Sequence, residues 1–292
     1  MSETTDDAVF AAAYERGDVP YWPGVQGRRV TVDGGAIHYV ELGRPDAPPV
    51  MLVHKLGGWA ADWRHVAELI AEDHRVLVVD APGHGGSTLA KEVTWAHPIT
   101  ESSAMLGAFL DALAIDRVHA MGSSLGGVLS TQLASEQPAR IATLALVGVS
   151  LTARQSLELT LQNDRAVRDS FTADWTPLPF PVDETLTGEA RQRAVEQNAS
   201  RMQAGRWARA SERGFGLIGI EQRLPLVEAP VLLVNGVTAR YRRYESTALE
   251  HLRDVRIETV EVEGMFPHQE APEQTAALWR DFVGDARRRG AA

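Results

Sequence analysis

The sequence predicts an α/β protein with a mostly parallel central sheet, helices on both of its faces and a helical insertion. Short apolar runs recur along the chain without strict alternation, as in "PVMLVH", "RVLVVD", "VHAMGSS", "IATLALVG", "PVLLVNG" and "IETVEVEG". Such runs suit strands buried on both faces, and the helical patterns between them supply the crossovers that parallel strands need. The strand runs stop between residues 151 and 222, where Arg, Glu and Gln dominate.

Taken in order, residues 1–27 carry "YWPG" and little periodicity, and are expected to form an N-terminal arm. The stretch "RRVTVDGGAIHYVELG" places Asp33-Gly34-Gly35 between alternating segments, a hairpin signal. The strand-helix repeats then assign residues 28–150 and 223–292 to one core. Residues 151–222 contain the helical pattern "ARQSLELTLQNDRAVRDSF" and the proline-rich break "WTPLPFPVDE", so they are expected to fold as a helical cap, or lid, over the strand ends.

A chain of 292 residues with 44% hydrophobic content can bury a large core. Its formal charge of -10 disfavours nucleic acid and anionic membranes, which reward basic patches. The lack of cysteine excludes disulfides, thiolate nucleophiles and thiolate-bound metals. The N-terminus "MSETTDDAVF" lacks the basic and apolar regions of a signal peptide, and no run reaches membrane-spanning length. A cytoplasmic protein acting on a small molecule is expected, with a homodimer left open. The nine histidines are scattered without close ligand pairs, and no glycine-rich phosphate loop appears, so neither a metal nor a cofactor is expected.

The segment "VHAMGSSLGGVLSTQLA" carries the clearest chemistry. A strand runs into Gly122-Ser123-Ser124-Leu125-Gly126 and then into a helix, the context that a G-x-S-x-G nucleophile elbow requires. Glycines two residues to either side of Ser124 permit a strained turn, and the helix N-terminus favours a developing negative charge. With this elbow, "LVHKLGGWAADW", "VVDAPGHGGS", "APVLLVNG" and "GMFPHQEAPE" resemble, over residues 28–285, the oxyanion loop, Asp-x-x-Gly-His-Gly-x-Ser loop, penultimate strand and histidine segment of the α/β-hydrolase superfamily. The resemblance implies an α/β-hydrolase fold and oxyanion donors on the backbone N–H groups of Leu56 and Leu125.

Two positions depart from that pattern. Ala239 stands where the superfamily places its acid after the penultimate strand, and Met265 where it places the catalytic histidine; His268, Glu270 and Pro272 keep the register. The loop after the preceding strand, "LALVGVSLT", offers no carboxylate either. A serine without a general base loses roughly 10²- to 10⁴-fold in reactivity. Lys55 and His268 are the candidate substitutes. Lys55 is one of only two lysines and fills a place the superfamily gives to glycine. A neutral amine there could act as base, and a charged one could hold an anion, unless the side chain simply reaches solvent. His268 reads more readily as structural, as do His54, His84 and Asp80, and Glu245 as solvated charge rather than a displaced acid. Trp59 is expected as a wall of the substrate pocket, with Trp63 as packing.

The expected function is an enzyme of small-molecule metabolism that has left triad chemistry, using its oxyanion pocket on a carbonyl compound for elimination, cyclisation, isomerisation or decarboxylation. A serine esterase using Lys55 or His268 as base, and a non-catalytic binding protein, are the alternatives.

Overall fold

A computed structural model describes residues 22, 24–237 and 240–290. Apart from Trp22 and residues 24–27, the expected arm lies outside the described residues, as does Ala239. The strands are β1 (Gly27–Val32), β2 (Gly35–Leu42), β3 (Pro49–Val53), β4 (Arg75–Val79), β5 (Thr88–Leu89), β6 (Val118–Ser123), β7 (Ile141–Val147), β8 (Val231–Gly236) and β9 (Val255–Val260). They form one nine-stranded sheet in the order β1-β2-β4-β3-β6-β7-β8-β9, with β5 paired to β2. The β1–β2 hairpin and the β2–β4 and β2–β5 pairs are antiparallel. From β4 to β9 every pair is parallel. Gly34, at φ 89°, makes the hairpin turn that the Asp-Gly-Gly signal predicts.

The apolar runs are strands because each has two faces to bury. In β3, Met51 and Val53 join one hydrophobic cluster while Val50 and Leu52 join the other. The same alternation divides Leu144 and Leu146 from Ala145 and Val147 in β7, and Leu233 from Leu232 and Val234 in β8. One cluster is completed by the helices Ile99–Ala112 and Leu125–Glu136, through Phe109, Leu110, Val128 and Leu129. The other is completed by Arg64–Ile70 and Pro272–Arg288, through Val66, Ile70, Trp279 and Phe282. Burying a side chain of this size contributes roughly 1.5–3 kcal/mol, so the layered core fixes the sheet.

Between β7 and β8 lie the helices Leu157–Ala166, Gly188–Ala204 and Arg206–Ile218. They pack on the loops that follow β3 and β4. Gly57 lies against Arg201, a Cβ on Gly83 would come within 2.8 Å of the Trp207 side chain, and Ala210 O accepts a 2.8 Å hydrogen bond from His97 N–H. Arg64 is paired with Glu196, which ties the insertion to the first core helix.

The sheet order changes direction between β3 and β6: the chain passes from β3 to β4 on one side and reaches β6 on the other. In open α/β sheets the crevice at such a switch point, outside the carboxyl ends of the strands, is where ligands bind. Here it lies between residues 54–58 and Ser124.

Candidate active site

Ser124 follows β6 at φ 47° and ψ -113°, a conformation that costs a non-glycine residue energy and is kept only where the surroundings enforce it. The enforcement comes from close backbone approach. A Cβ on Gly122 would lie 2.4 Å from the Gly126 carbonyl group, and one on Gly126 would lie 2.1 Å from the Val53 carbonyl oxygen. Only glycine allows the helix Leu125–Glu136 to start this close to β3. The Gly126 N–H donates to His54 O at 3.0 Å, which binds the elbow to the loop after β3. Leu125 is the first residue of that helix, so its N–H has no acceptor within the helix. Leu56 lies on the facing loop and is half-buried against the core.

His54 and Asp80 shape these loops. His54 Nδ1 donates to Lys55 O at 2.7 Å, and Nε2 accepts from Ala81 N–H at 2.9 Å, so the ring is neutral and both nitrogens are used. Burial lowers its pKa, against the raising influence of Asp80 and Asp62. Asp80 accepts from Ala60 N–H at 2.6 Å, from Gly86 N–H at 2.7 Å and from His38 Nδ1 at 2.7 Å. Burial alone would raise the Asp80 carboxyl, but its bond to the His38 ring and the charge there hold it below its ordinary value. His84 is pushed down to about 3 by burial, with His54 adding to the effect.

Lys55 neither reaches solvent nor stands free. It is 3% exposed, and its Nζ donates to Asp62 Oδ2 at 2.7 Å, with the Phe266 ring centroid 5.4 Å away. Asp62 in turn presses on the loop after β3, because its Oδ2 would lie 2.1 Å from a Cβ on Gly58. The Lys55–Asp62 pair therefore spans the loop of residues 55–62 and packs against Gly58. Sequence reading missed Asp62, which stands in the bland stretch "AADW".

His268 is buried, and its ring stacks on Trp63 at 4.1 Å between centroids and 29° between planes. Neither ring nitrogen has a hydrogen-bond partner among the described residues, so it makes no bond to Ser124. Burial first, then Lys55 and His54, drive its pKa well below the ordinary histidine value. Trp59, expected as a pocket wall, is 0% exposed and belongs to the hydrophobic cluster that holds Leu52, Val78 and Trp63. Its backbone is extended, at φ -154° and ψ 175°.

Met265 lies on a loop tied down by Glu270, whose carboxylate accepts from Gly264 N–H at 3.1 Å and Phe266 N–H at 3.3 Å. The Met265 carbonyl would lie 2.3 Å from a Cβ on Gly148, so this half-buried residue sits against the end of β7. Glu245, weighed as a displaced acid, accepts from Asn235 Nδ2 and Arg242 Nε, each at 3.2 Å. Among the described residues no cluster of three or more histidine, aspartate or glutamate side chains could hold a metal, and no helix is long and apolar enough to cross a membrane.

Residues 48–223 match the profile of the alpha/beta hydrolase fold. The chain is 34% identical over 120 residues to the dihydrolipoyllysine-residue acetyltransferase component of the acetoin cleaving system of Pseudomonas putida, covering 41% of this chain and 32% of that protein. This match therefore spans about a third of that relative's length. An esterase of Mycobacterium tuberculosis is 28% identical over 261 residues, with 85% of each chain covered. The crystal structure of a hydrolase from Pseudomonas aeruginosa PA01 superposes with a TM-score of 0.72 at 22% identity, over 90% of this chain and 99% of that one. A profile match over more than half of the chain, taking in both of the loops that this sheet order brings together, makes the protein a member of the alpha/beta hydrolase fold family.

Proposed function

We propose that the protein is an enzyme that polarises the carbonyl group of a small molecule in an oxyanion pocket and carries out non-hydrolytic chemistry there: elimination, cyclisation, isomerisation or decarboxylation. The observation that carries this reading is the contrast around Ser124. The elbow keeps its costly backbone and its clamp to His54, yet Met265 stands where the sequence resemblance places a histidine, His268 is stacked on Trp63 and Lys55 is bound to Asp62. N–H groups at Leu56 and Leu125 can stabilise an oxygen as it gains charge whether or not a nucleophile attacks the carbon. Ser124 then orients the substrate as a hydrogen-bonding hydroxyl. The helices between β7 and β8 act as the cap that keeps water from the pocket, supported by their packing on Gly57 and Gly83.

The test is to rebuild the missing groups. Wild-type protein should label slowly with a fluorophosphonate probe and turn over p-nitrophenyl butyrate poorly. The double variant Ala239→Asp, Met265→His should gain at least about 100-fold in ester hydrolysis, the lower end of general-base catalysis. Rapid stoichiometric labelling of wild-type Ser124 at neutral pH would overturn the reading. It would favour the second one, a serine esterase with a substitute base, which draws its support from the esterase relative matched over 85% of both chains.

A further inference from the structure

A cleft of about 340 Å³ opens between the insertion and the carboxyl end of the sheet. One wall comes from the helices Leu157–Ala166 and Arg206–Ile218, through Asn163 and Phe215, and the other from Arg240, Arg243 and Tyr244 beyond β8. Its volume falls at the small end of cavities that enclose a metabolite. Ser150 and Thr152 also line it, so it starts three residues after β7. That place borders the candidate site. Gly148 takes the Met265 carbonyl and the Tyr241 ring on its open face, and Val149 packs on Gly127 of the elbow.

The charges of the cleft are unequal in kind. The Arg209 guanidinium is fully engaged, with Nε and Nη2 on Asp164 and Nη1 on Glu212. Arg240 and Arg243 have no carboxylate partner among the described residues. Arg240 lies over the Tyr241 ring at 5.5 Å, and Arg243 donates to Tyr244 Oη at 2.8 Å. In a chain of formal charge -10, two uncompensated guanidinium groups thus share one cleft. Guanidinium forks match a carboxylate with two parallel hydrogen bonds, while Phe215 and Val167 offer an apolar surface to the body of a ligand.

We propose that this cleft binds the carboxylate of a small organic acid, with Arg240 and Arg243 as the recognition groups. The assignment rests on the preceding reading of the site as a carbonyl pocket and narrows its substrate to an acid that also bears a carbonyl. Such a ligand, anchored at the arginines, extends along Ser150 toward the loop of Met265.

Binding can be read without turnover. Benzoate, 3-phenylpropanoate and adipate at millimolar concentration should raise the melting temperature of the wild-type protein and give heats by titration calorimetry, whereas benzamide and 3-phenylpropanamide should not. In Arg240→Gln, Arg243→Gln, the ligand-free melting temperature should stay unchanged while the best carboxylate binds at least about tenfold more weakly, close to 1.4 kcal/mol. Three results would each overturn the proposal: equal binding of acid and amide, equal binding to the double variant, or no binding by any of the three acids. Rapid labelling of Ser124 would remove the non-hydrolytic reading while leaving this site standing, and loss of acid binding with Ser124 still unreactive would do the reverse.

Discussion

At the scale of single residues, the buried pair Lys55 and Asp62 ties a rare lysine to the turn that follows β3. A lysine where the resemblance places a glycine suggested chemistry, and in the structure its Nζ is paired with Asp62. Side-chain exposures of 4% and 5% mean that neither charge can be left without the other. Removing one partner of such a pair costs about 3–5 kcal/mol, while replacing both with apolar groups is often neutral. Lys55→Met should therefore lower stability by about that amount in urea unfolding, and Lys55→Met, Asp62→Leu should recover most of it. If the single variant keeps wild-type stability, the pair is not what holds the loop. Ser124 was legible because glycine spacing around a serine encodes a backbone shape. Asp62 was not, since a lone carboxylate shows its partner only in three dimensions. The full burial of Trp59 was not legible, because sequence reports a large ring but not the side of the loop to which it turns.

Among the elements, the strands were legible because burial on both faces writes a continuous apolar run. The two-residue β5 carries no such run and went unseen. The insertion was legible as helical, yet its internal staple was not. Asp164 accepts hydrogen bonds from both Arg209 and Arg213, residues 45 and 49 positions away, and the Trp175 ring lies 4.2 Å from the Arg213 guanidinium carbon. Burial alone would raise the Asp164 carboxyl, but the bonds from Arg213 and Arg209 hold it below its usual value. A depressed carboxylate stabilises above its unfolded pKa and loses that contribution as pH falls through the folded value, so this staple should weaken below about pH 4. Asp164→Ala should make residues 157–218 sensitive to limited proteolysis at neutral pH while the sheet stays protected. Protection of that segment equal to wild type would show that the aromatic contacts suffice without the carboxylate.

Over the whole molecule, five histidines are kept neutral by burial, a property no composition reveals. His84 and His119 are lowered to about 3 and His97 to about 4, with burial the largest cause in each. His54 and His268 are lowered as well. Each binds a proton in the unfolded chain near pH 6.5 and resists it when folded, so its contribution is complete above that pH and is lost as pH falls toward the folded value. Every such group adds about 1.4 kcal/mol per pH unit to the slope between those limits. Acid unfolding should accordingly begin near pH 6, above the carboxylate range, with several protons taken up per molecule; a flat stability between pH 6 and 5 would contradict it. The order of the strands carries a further consequence. Because β1 and β9 end the sheet among the described residues, their outer backbone groups could pair with another chain. β1 carries Arg28 and Arg29 there, and β9 carries Arg256, bonded to Glu258 and to Asp281 of the last helix. Charges on terminal strands oppose the joining of sheets, so two copies of this protein should meet, if they meet, through side chains on another surface and not by extending one sheet into the next.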